Sequence, residues 1–196
     1  MPPMIGSPVM SEIFGKFVSD NADIDLEIIE DGSNNLINKL SDNYIDLAFV
    51  SHNSPVDTAF ESHLIERLEV VCCVSACNSL SQREFIKADD LLKEPLVLFQ
   101  NSYFQTGEIK KWFKLSNVVP NILLQTNQLS TMLGLILQNL ASGFLFRKLA
   151  ERQKELICIP LYNRIFIDVS LVSKKNNYPF SIVERFKKFV RNNLSL

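Results

Sequence analysis

Histidine, surplus positive charge and long apolar runs are what this sequence has least of. His52 and His63 are its only histidines; they are too isolated from carboxylate or thiolate partners to ligate a metal, so no metal is expected. Lysine and arginine number 20 against 22 aspartate and glutamate, a net charge of −2. A chain so nearly neutral lacks the basic face that duplex DNA binding needs. No apolar run reaches the roughly 20 residues of a membrane span, and no charged region precedes an apolar core at the N-terminus. Neither a membrane partner nor a secretory leader is therefore expected. The four cysteines, Cys72, Cys73, Cys77 and Cys158, sit in or beside apolar runs without a spaced framework, the usage of a reducing cytoplasm. For Cys72, Cys73 and Cys77 buried, inert thiols are the ordinary reading against a redox sensor, because no cation lies within the run to lower a thiol pKa. The acidic pairs Glu30-Asp31 and Asp89-Asp90 sit at helix starts or point apart, and neither makes an acid/base couple. No enzyme and no cofactor are expected.

What is present is globular: 46% hydrophobic and 21% charged over 196 residues, enough for one large domain or two small lobes. The chain is organised around Glu30 to Val50. Ile24, Leu26 and Ile28 alternate with Asp25 and Glu27, the period of a strand buried on one face. Gly32 and Ser33 read as a turn and an N-cap, and Leu36, Ile37 and Leu40 then share one helical face. Ile45 to Val50 is nearly all apolar and too short for a helix, which makes it a second strand. Strands joined by a helix run parallel, and ligands of open parallel sheets gather where strands end and helix N-termini offer N–H groups. A binding crevice follows.

Upstream, Ser7-Pro8 reads as the start of a helix whose stripe is Val9, Met10, Ile13, Phe14, Phe17 and Val18. The Pro-rich lead before it is an odd opening for a parallel-sheet protein, and a strand is expected further upstream of this sequence. Downstream, Leu64 to Val74 is a long strand, Ala88 to Leu92 a short helix and Pro95 to Phe99 a strand. Gln100-Asn101-Ser102 opens a helix carrying Ile109, Trp112 and Phe113. Ile122 to Leu124 is the next strand, and Thr126-Asn127 caps a helix through Met132, Leu133, Ile136 and Leu140. Ala141-Ser142-Gly143 turns the chain into Phe144 to Phe146. Leu156 to Pro160 and Ile165 to Val172 are strands, and Ile182, Val183, Phe186, Phe189 and Val190 mark a last helix. Its Arg185, Lys187, Lys188 and Arg191 read as a solvated face. No low-complexity linker separates the halves, so strands 64–74 and 161–172 are the crossings between lobes.

Pro2-Pro3-Met4-Ile5-Gly6-Ser7, Glu30-Asp31-Gly32-Ser33, Ile45-Asp46-Leu47-Ala48, Asp90-Leu91 with Pro95-Leu96-Val97-Leu98, and Pro120 before a strand together resemble the effector-binding domain of LysR-type transcriptional regulators. Asn78-Ser79-Leu80 departs from that family's His-Pro-Leu pattern, and the Gly-rich turn is Ala141-Ser142-Gly143. The resemblance implies an α/β fold of two lobes with central sheets joined by crossing strands, like the type 2 periplasmic binding proteins. Lobe I would be residues 1–71 with 163–196, and lobe II residues 72–162. It also implies an effector cleft between the lobes, lined by Met4, Ile5, Gly6, Ser7, Ser33, Phe99, Gln100, Asn101, Ser102, Thr126 and Asn127. Helix starts at Ser7, Ser33, Ser102 and Asn127 favour a carboxylate or another small anion, because each offers unpaired N–H donors. The implied protein is a cytoplasmic sensor, a homodimer or higher homo-oligomer that reaches DNA only through an N-terminal helix-turn-helix outside this sequence. The Val9–Val18 helix and the 24–30 strand of one subunit would meet the second lobe of another. The alternative is a solute-binding receptor of a transporter, which shares the fold.

Overall fold

The structure, a computed structural model, describes residues 1, 2, 4, 5, 13–21, 24–175 and 181–193. After a π-helical turn, Ile13–Val18, come α1 (Ser33–Ser41), β1 (Ala48–His52), β2 (Phe60–Ser75), a 3-10 turn (Ala88–Leu91) and β3 (Leu96–Phe99). Then follow α2 (Phe104–Leu115), β4 (Ile122–Thr126), α3 (Leu129–Leu137), β5 (Ser142–Phe146), α4 (Arg147–Glu151), β6 (Leu156–Lys174) and α5 (Ser181–Asn193). The chain divides into two compact units, Met1–Arg67 with Asp168–Leu196, and Leu68–Ile167. The strands form one hydrogen-bonded ladder in the order β1-β6-β2-β5-β3-β4. It is continuous because the long strands β2 and β6 each run through both units.

In the first unit β1 pairs antiparallel with β6, from Ala48 opposite Val172 to His52 opposite Asp168. The apolar stripe of α1 covers this pair, so that Leu36, Leu40, Ala48, Val50, Phe60 and Val172 form one buried cluster. The expected strand at 24–30 is not formed. Its alternation survives, with Ile24, Leu26 and Ile28 half-buried and Asp25 and Glu27 exposed, but no neighbouring strand pairs with it among the described residues. Burial of one face requires only the period of two, whereas a strand needs a partner's N–H and C=O groups along its edge. The expected parallel pair of 24–28 with 45–50 is therefore absent as well.

The N-terminal helix is also different from its expectation. Ser7 to Met10 lie outside the described residues, and Ile13–Val18 is wound as a π-helix. Ser19 Oγ donates to Gly15 O at 3.3 Å and Asn21 Nδ2 to Phe17 O at 2.7 Å, taking carbonyls that an α-helix would give to its own N–H groups. Phe17 packs edge-on against Phe186 of α5, ring centroids 4.9 Å apart. Two residues of the basic run of α5 have partners inside this unit: Lys187 Nζ lies 3.0 Å from Glu184 and 3.1 Å from Glu61, and Arg185 donates to Asn21 Oδ1 at 2.8 Å; Lys188 and Arg191 are exposed.

The second unit is built on parallel pairing. β3 runs parallel to β4 on one side and to β5 on the other, with α2 and α3 as the crossovers. A bulge at Leu96/Val97 lets Val97 face Leu124, so Leu123 is skipped and left 55% exposed. Phe113 of α2 meets Phe144 of β5 near-perpendicular at 6.1 Å and stacks edgewise on Trp112 at 4.9 Å. Each such aromatic pair adds about 0.5–1.5 kcal/mol to simple burial.

Two connections differ from expectation for polar reasons. Asn78, standing where the family pattern has histidine, donates from Nδ2 to Glu94 Oε1 at 2.8 Å and to Asn139 Oδ1 at 2.9 Å, and its own Oδ1 accepts from Leu80 N–H at 2.9 Å. Ser142 Oγ donates to the same Glu94 oxygen at 2.6 Å. Ser142 and Gly143 therefore belong to β5. The turn before them is made by Asn139, whose φ of 56° lies in the left-handed region that asparagine tolerates. Leu140, expected on the helix, is past its end and exposed.

Gly143 is needed for close approach. A Cβ there would meet Ile136 Cδ1 at 2.8 Å and both Val97 Cγ1 and Val97 O at 3.3 Å. The end of Ile136 can swing aside, but the Val97 carbonyl is held in the ladder. Gly143→Ala is expected to destabilise the fold by about 1–3 kcal/mol, read as a lower urea midpoint at unchanged slope; an unchanged midpoint would show that the helix side chain absorbs the methyl.

Candidate functional site

The carboxyl ends of β3 and β4 bring most of the predicted contact residues together. Phe99 lies opposite Thr126 in the parallel register, and Gln100 N–H donates to Thr126 O at 3.1 Å. Past these strand ends Gln100, Asn101 and Asn127 are exposed and Ser102 is half-buried. Phe99 is buried, its ring 5.5 Å from that of Tyr103. Its carbonyl accepts from Thr106 Oγ at 3.0 Å and from Gln125 Nε2 at 3.4 Å. This is the edge at which α2 and α3 begin, as a strand–helix–strand crossover requires.

The helix starts fall one residue later than expected. Tyr103 precedes α2 and Gln128 precedes α3, neither with a side-chain cap. The polar side chains expected to cap are otherwise engaged. Asn101 Oδ1 accepts from Lys110 Nζ at 2.6 Å and from Gln125 Nε2 at 3.1 Å, and Thr126 Oγ accepts from Gln128 N–H at 3.0 Å. The first N–H groups of α2 and the Lys110 ammonium therefore stand at the same loop. Gln105, buried in the first turn of α2, donates Nε2 to Phe144 O at 2.9 Å, while its Oε1 has no partner among the described residues.

In the first unit Met4 and Ile5 are buried, and Ile5 N–H donates to Pro2 O at 3.0 Å. Gly6 and Ser7 lie outside the described residues. Gly32, not Ser33, is the N-cap of α1. Ser33 is buried as the first helical residue, and its Oγ accepts from Ser51 N–H at 2.9 Å, satisfying an edge donor of β1. Asp31 occupies the positive end of α1: its Oδ1 accepts from Gly32 N–H at 2.7 Å and Asn35 Nδ2 at 2.8 Å, and Oδ2 from Lys39 Nζ at 3.0 Å. Burial pushes the Asp31 carboxyl up, but the Asn35, Lys39 and Gly32 donors overcome it and hold it below the usual carboxylate range. One helix start expected to attract an anion already has one.

The family model of the LysR substrate binding domain matches residues 1–195. The chain belongs to this family. A curated relative, the uncharacterized HTH-type transcriptional regulator YwbI of Bacillus subtilis (strain 168), is 22% identical over 181 residues, which cover 91% of this chain and 60% of the relative. The chain thus spans about 60% of the length of the curated relative it matches. The effector-binding domain of QuiR in complex with shikimate is similar at a TM-score of 0.79 and 17% identity, covering 98% of this chain and 95% of that one. The regulatory domain of CcmR from Synechocystis PCC6803 in complex with 2-PG is similar at 0.83 and 11% identity, covering 96% and 92%. The fold is that of LysR effector-binding domains, type 2 periplasmic-binding-protein-like.

This LysR domain also contains a cavity of about 300 Å³ inside its first unit, walled by Ile24 to Ile29 on one side and Tyr44 to Phe49 on another, with Ile13, Phe17 and Phe186. None of the predicted contact residues lines it. Sequence reasoning missed Gln105, Lys110 and Gln125, because helix and strand periodicity say which face a residue occupies and not which loop a long polar side chain reaches. Among the described residues no cluster of three or more His, Cys, Asp or Glu side chains could hold a metal ion, and no helix is long and apolar enough to cross a membrane.

Ser33→Ala removes the acceptor of a buried N–H. A loss of about 1–3 kcal/mol is expected, measured by denaturant unfolding, with helix content unchanged because the hydroxyl does not cap α1. A wild-type midpoint would mean that Ser51 N–H finds another acceptor.

Proposed function

We propose that this LysR domain is the effector-sensing part of a longer cytoplasmic transcriptional regulator. A small organic anion, held at the loops that close β3 and β4, controls a DNA-binding helix-turn-helix carried outside these residues. The observation that carries the reading is the meeting of the Lys110 ammonium, the Asn101 side chain and the start of α2 at those strand ends. A cation and the N–H groups of a helix start at one loop favour a carboxylate, each charge-assisted hydrogen bond contributing about 1.5–3 kcal/mol before ordering costs. Because Asp31 already neutralises the start of α1, the second unit supplies the larger share of anion binding. The shikimate named with QuiR is itself a carboxylate, which supports the ligand class. The net charge of −2 supports DNA contact through another segment. Effector binding then acts by shifting the population of regulator conformations, to the extent that it binds one better than another.

Calorimetry of a panel of small organic acids tests the ligand. Affinities of about micromolar to millimolar are expected, with Lys110→Ala weakening the best acid about tenfold while the unfolding midpoint stays put. Hits confined to neutral or cationic molecules, or acids that bind Lys110→Ala as tightly as wild type, would sink the anionic reading.

Self-association is part of the same proposal. β4 is an edge strand beside Leu115, Val119 and Leu123, which are 78%, 83% and 55% exposed; an apolar edge of this kind invites a second copy. Sedimentation is expected to show a dimer that Leu123→Lys weakens, and a wild-type monomer at high concentration would count against it.

A further inference from the structure

Two strands of the second unit part at their carboxyl ends, and a side chain fills the gap. β5 pairs with β3 over two residues only, Ser142 with Leu96 and Gly143 with Val97, and then keeps to β2 as far as Phe146 opposite Val70. Past Val97 and Gly143 a residue of α2 takes the place of the parallel ladder: Gln105 Nε2 donates to Phe144 O at 2.9 Å. Gln105 is the second residue of α2 and only 3% exposed. Its neighbour Thr106 makes the matching contact on the other strand, Oγ donating to Phe99 O at 3.0 Å. The first turn of α2 thus straddles β3 and β5 where they diverge, beside the loop at which Lys110 Nζ meets Asn101.

The contact with Phe144 fixes which way the carboxamide faces. A carbonyl can only accept, so Nε2 is turned to it and Oε1 is turned away. Oε1 is buried and has no partner among the described residues. The other polar side chains of this corner are engaged: Thr106 bonds the strand end, and Asn101 Oδ1 has two donors, Lys110 and Gln125. An acceptor cut off from water without a donor is unfavourable and uncommon in folded chains. A carboxylate has no hydrogen to give it. An ammonium would have to shed its water beside Lys110 and the positive end of α2, which disfavour a second cation. A neutral hydroxyl is the donor that suits it.

We propose that the effector is a hydroxy acid and that Gln105 is the residue that selects it by its hydroxyl. The inference rests on the anionic reading above and deepens it. The carboxylate lies at the loop with Lys110, and a hydroxyl of the same molecule donates to Gln105 Oε1 while Nε2 stays on Phe144 O. Gln105 is then a fork held by the sheet on one side and reading the ligand on the other. An acid of the same shape without the hydroxyl leaves Oε1 without a donor in the complex as well, and a site built around a hydrogen bond discriminates against such an analogue.

The test is calorimetry of the 196-residue chain with matched pairs of acids: cyclohexanecarboxylate and its ring-hydroxylated forms, benzoate and the hydroxybenzoates, butanoate and 3-hydroxybutanoate. In at least one pair the hydroxy acid is expected to bind about tenfold or more tightly than its partner. Gln105→Met keeps the length of the side chain and removes its amide, and is expected to bring that ratio to about one by weakening the hydroxy acid alone. A purely structural glutamine would weaken both members of the pair or neither. Circular dichroism checks that Gln105→Met folds, and if it does not, the ratio in the unaltered chain decides alone. Acids that bind with no preference for the hydroxyl in any pair, or a preference that survives in Gln105→Met, would overturn the role of Gln105 and leave the anionic reading standing. Binding by no acid at all would overturn both.

Discussion

Parallel strands cannot be joined by a tight turn, and that constraint organises the second unit. β3 is parallel to both of its neighbours, so the chain must cross back over the sheet through α2 and α3, and every crossover leaves a strand end beside a helix start. The loops after Phe99 and Thr126 come to one edge for this reason alone. The backbone donors at that edge are a by-product of topology, because the first N–H groups of a helix have no partner within it. Lys110 and Asn101 then give the edge a sign of charge and a position for it.

The same packing sets the price of close approach at the sheet centre. β5 lies against α3 tightly enough that Gly143 has no room for a Cβ, and Glu94 gathers Asn78 and Ser142 onto one oxygen at 2.8 and 2.6 Å. A half-buried carboxylate accepting several hydrogen bonds is stabilised only while its donors stay in place. The polar network and the close-packed strand therefore hold each other. In the first unit Ser33 Oγ accepts from Ser51 N–H, which ties α1 to β1.

Much of this was legible in the residues. The stripe Leu36, Ile37 and Leu40 placed α1, the apolar run near Val70 placed β2, and the order of strand and helix patterns around Trp112 and Met132 placed the parallel crossovers. What failed, failed where a pattern has two physical outcomes. Alternation at 24–28 is equally the mark of an extended segment with one wet face, and no residue there reveals whether a neighbouring strand will supply hydrogen bonds. Ser33 and Thr126 have the chemistry of caps, yet each hydroxyl is claimed by a different N–H.

The sequence by itself determined the α/β class, the family pattern and the faces each element buries, because burial periodicity is a local property of side chains 2 or 3.6 residues apart. Only the tertiary structure decided the pairings: Asn78 with Asn139, 61 residues on, and Asn101 with Gln125 on the neighbouring strand. Each joins groups whose meeting depends on strand order and register. A hydrogen bond is made at about 3 Å, a distance that no spacing along the chain encodes once the chain has crossed a sheet.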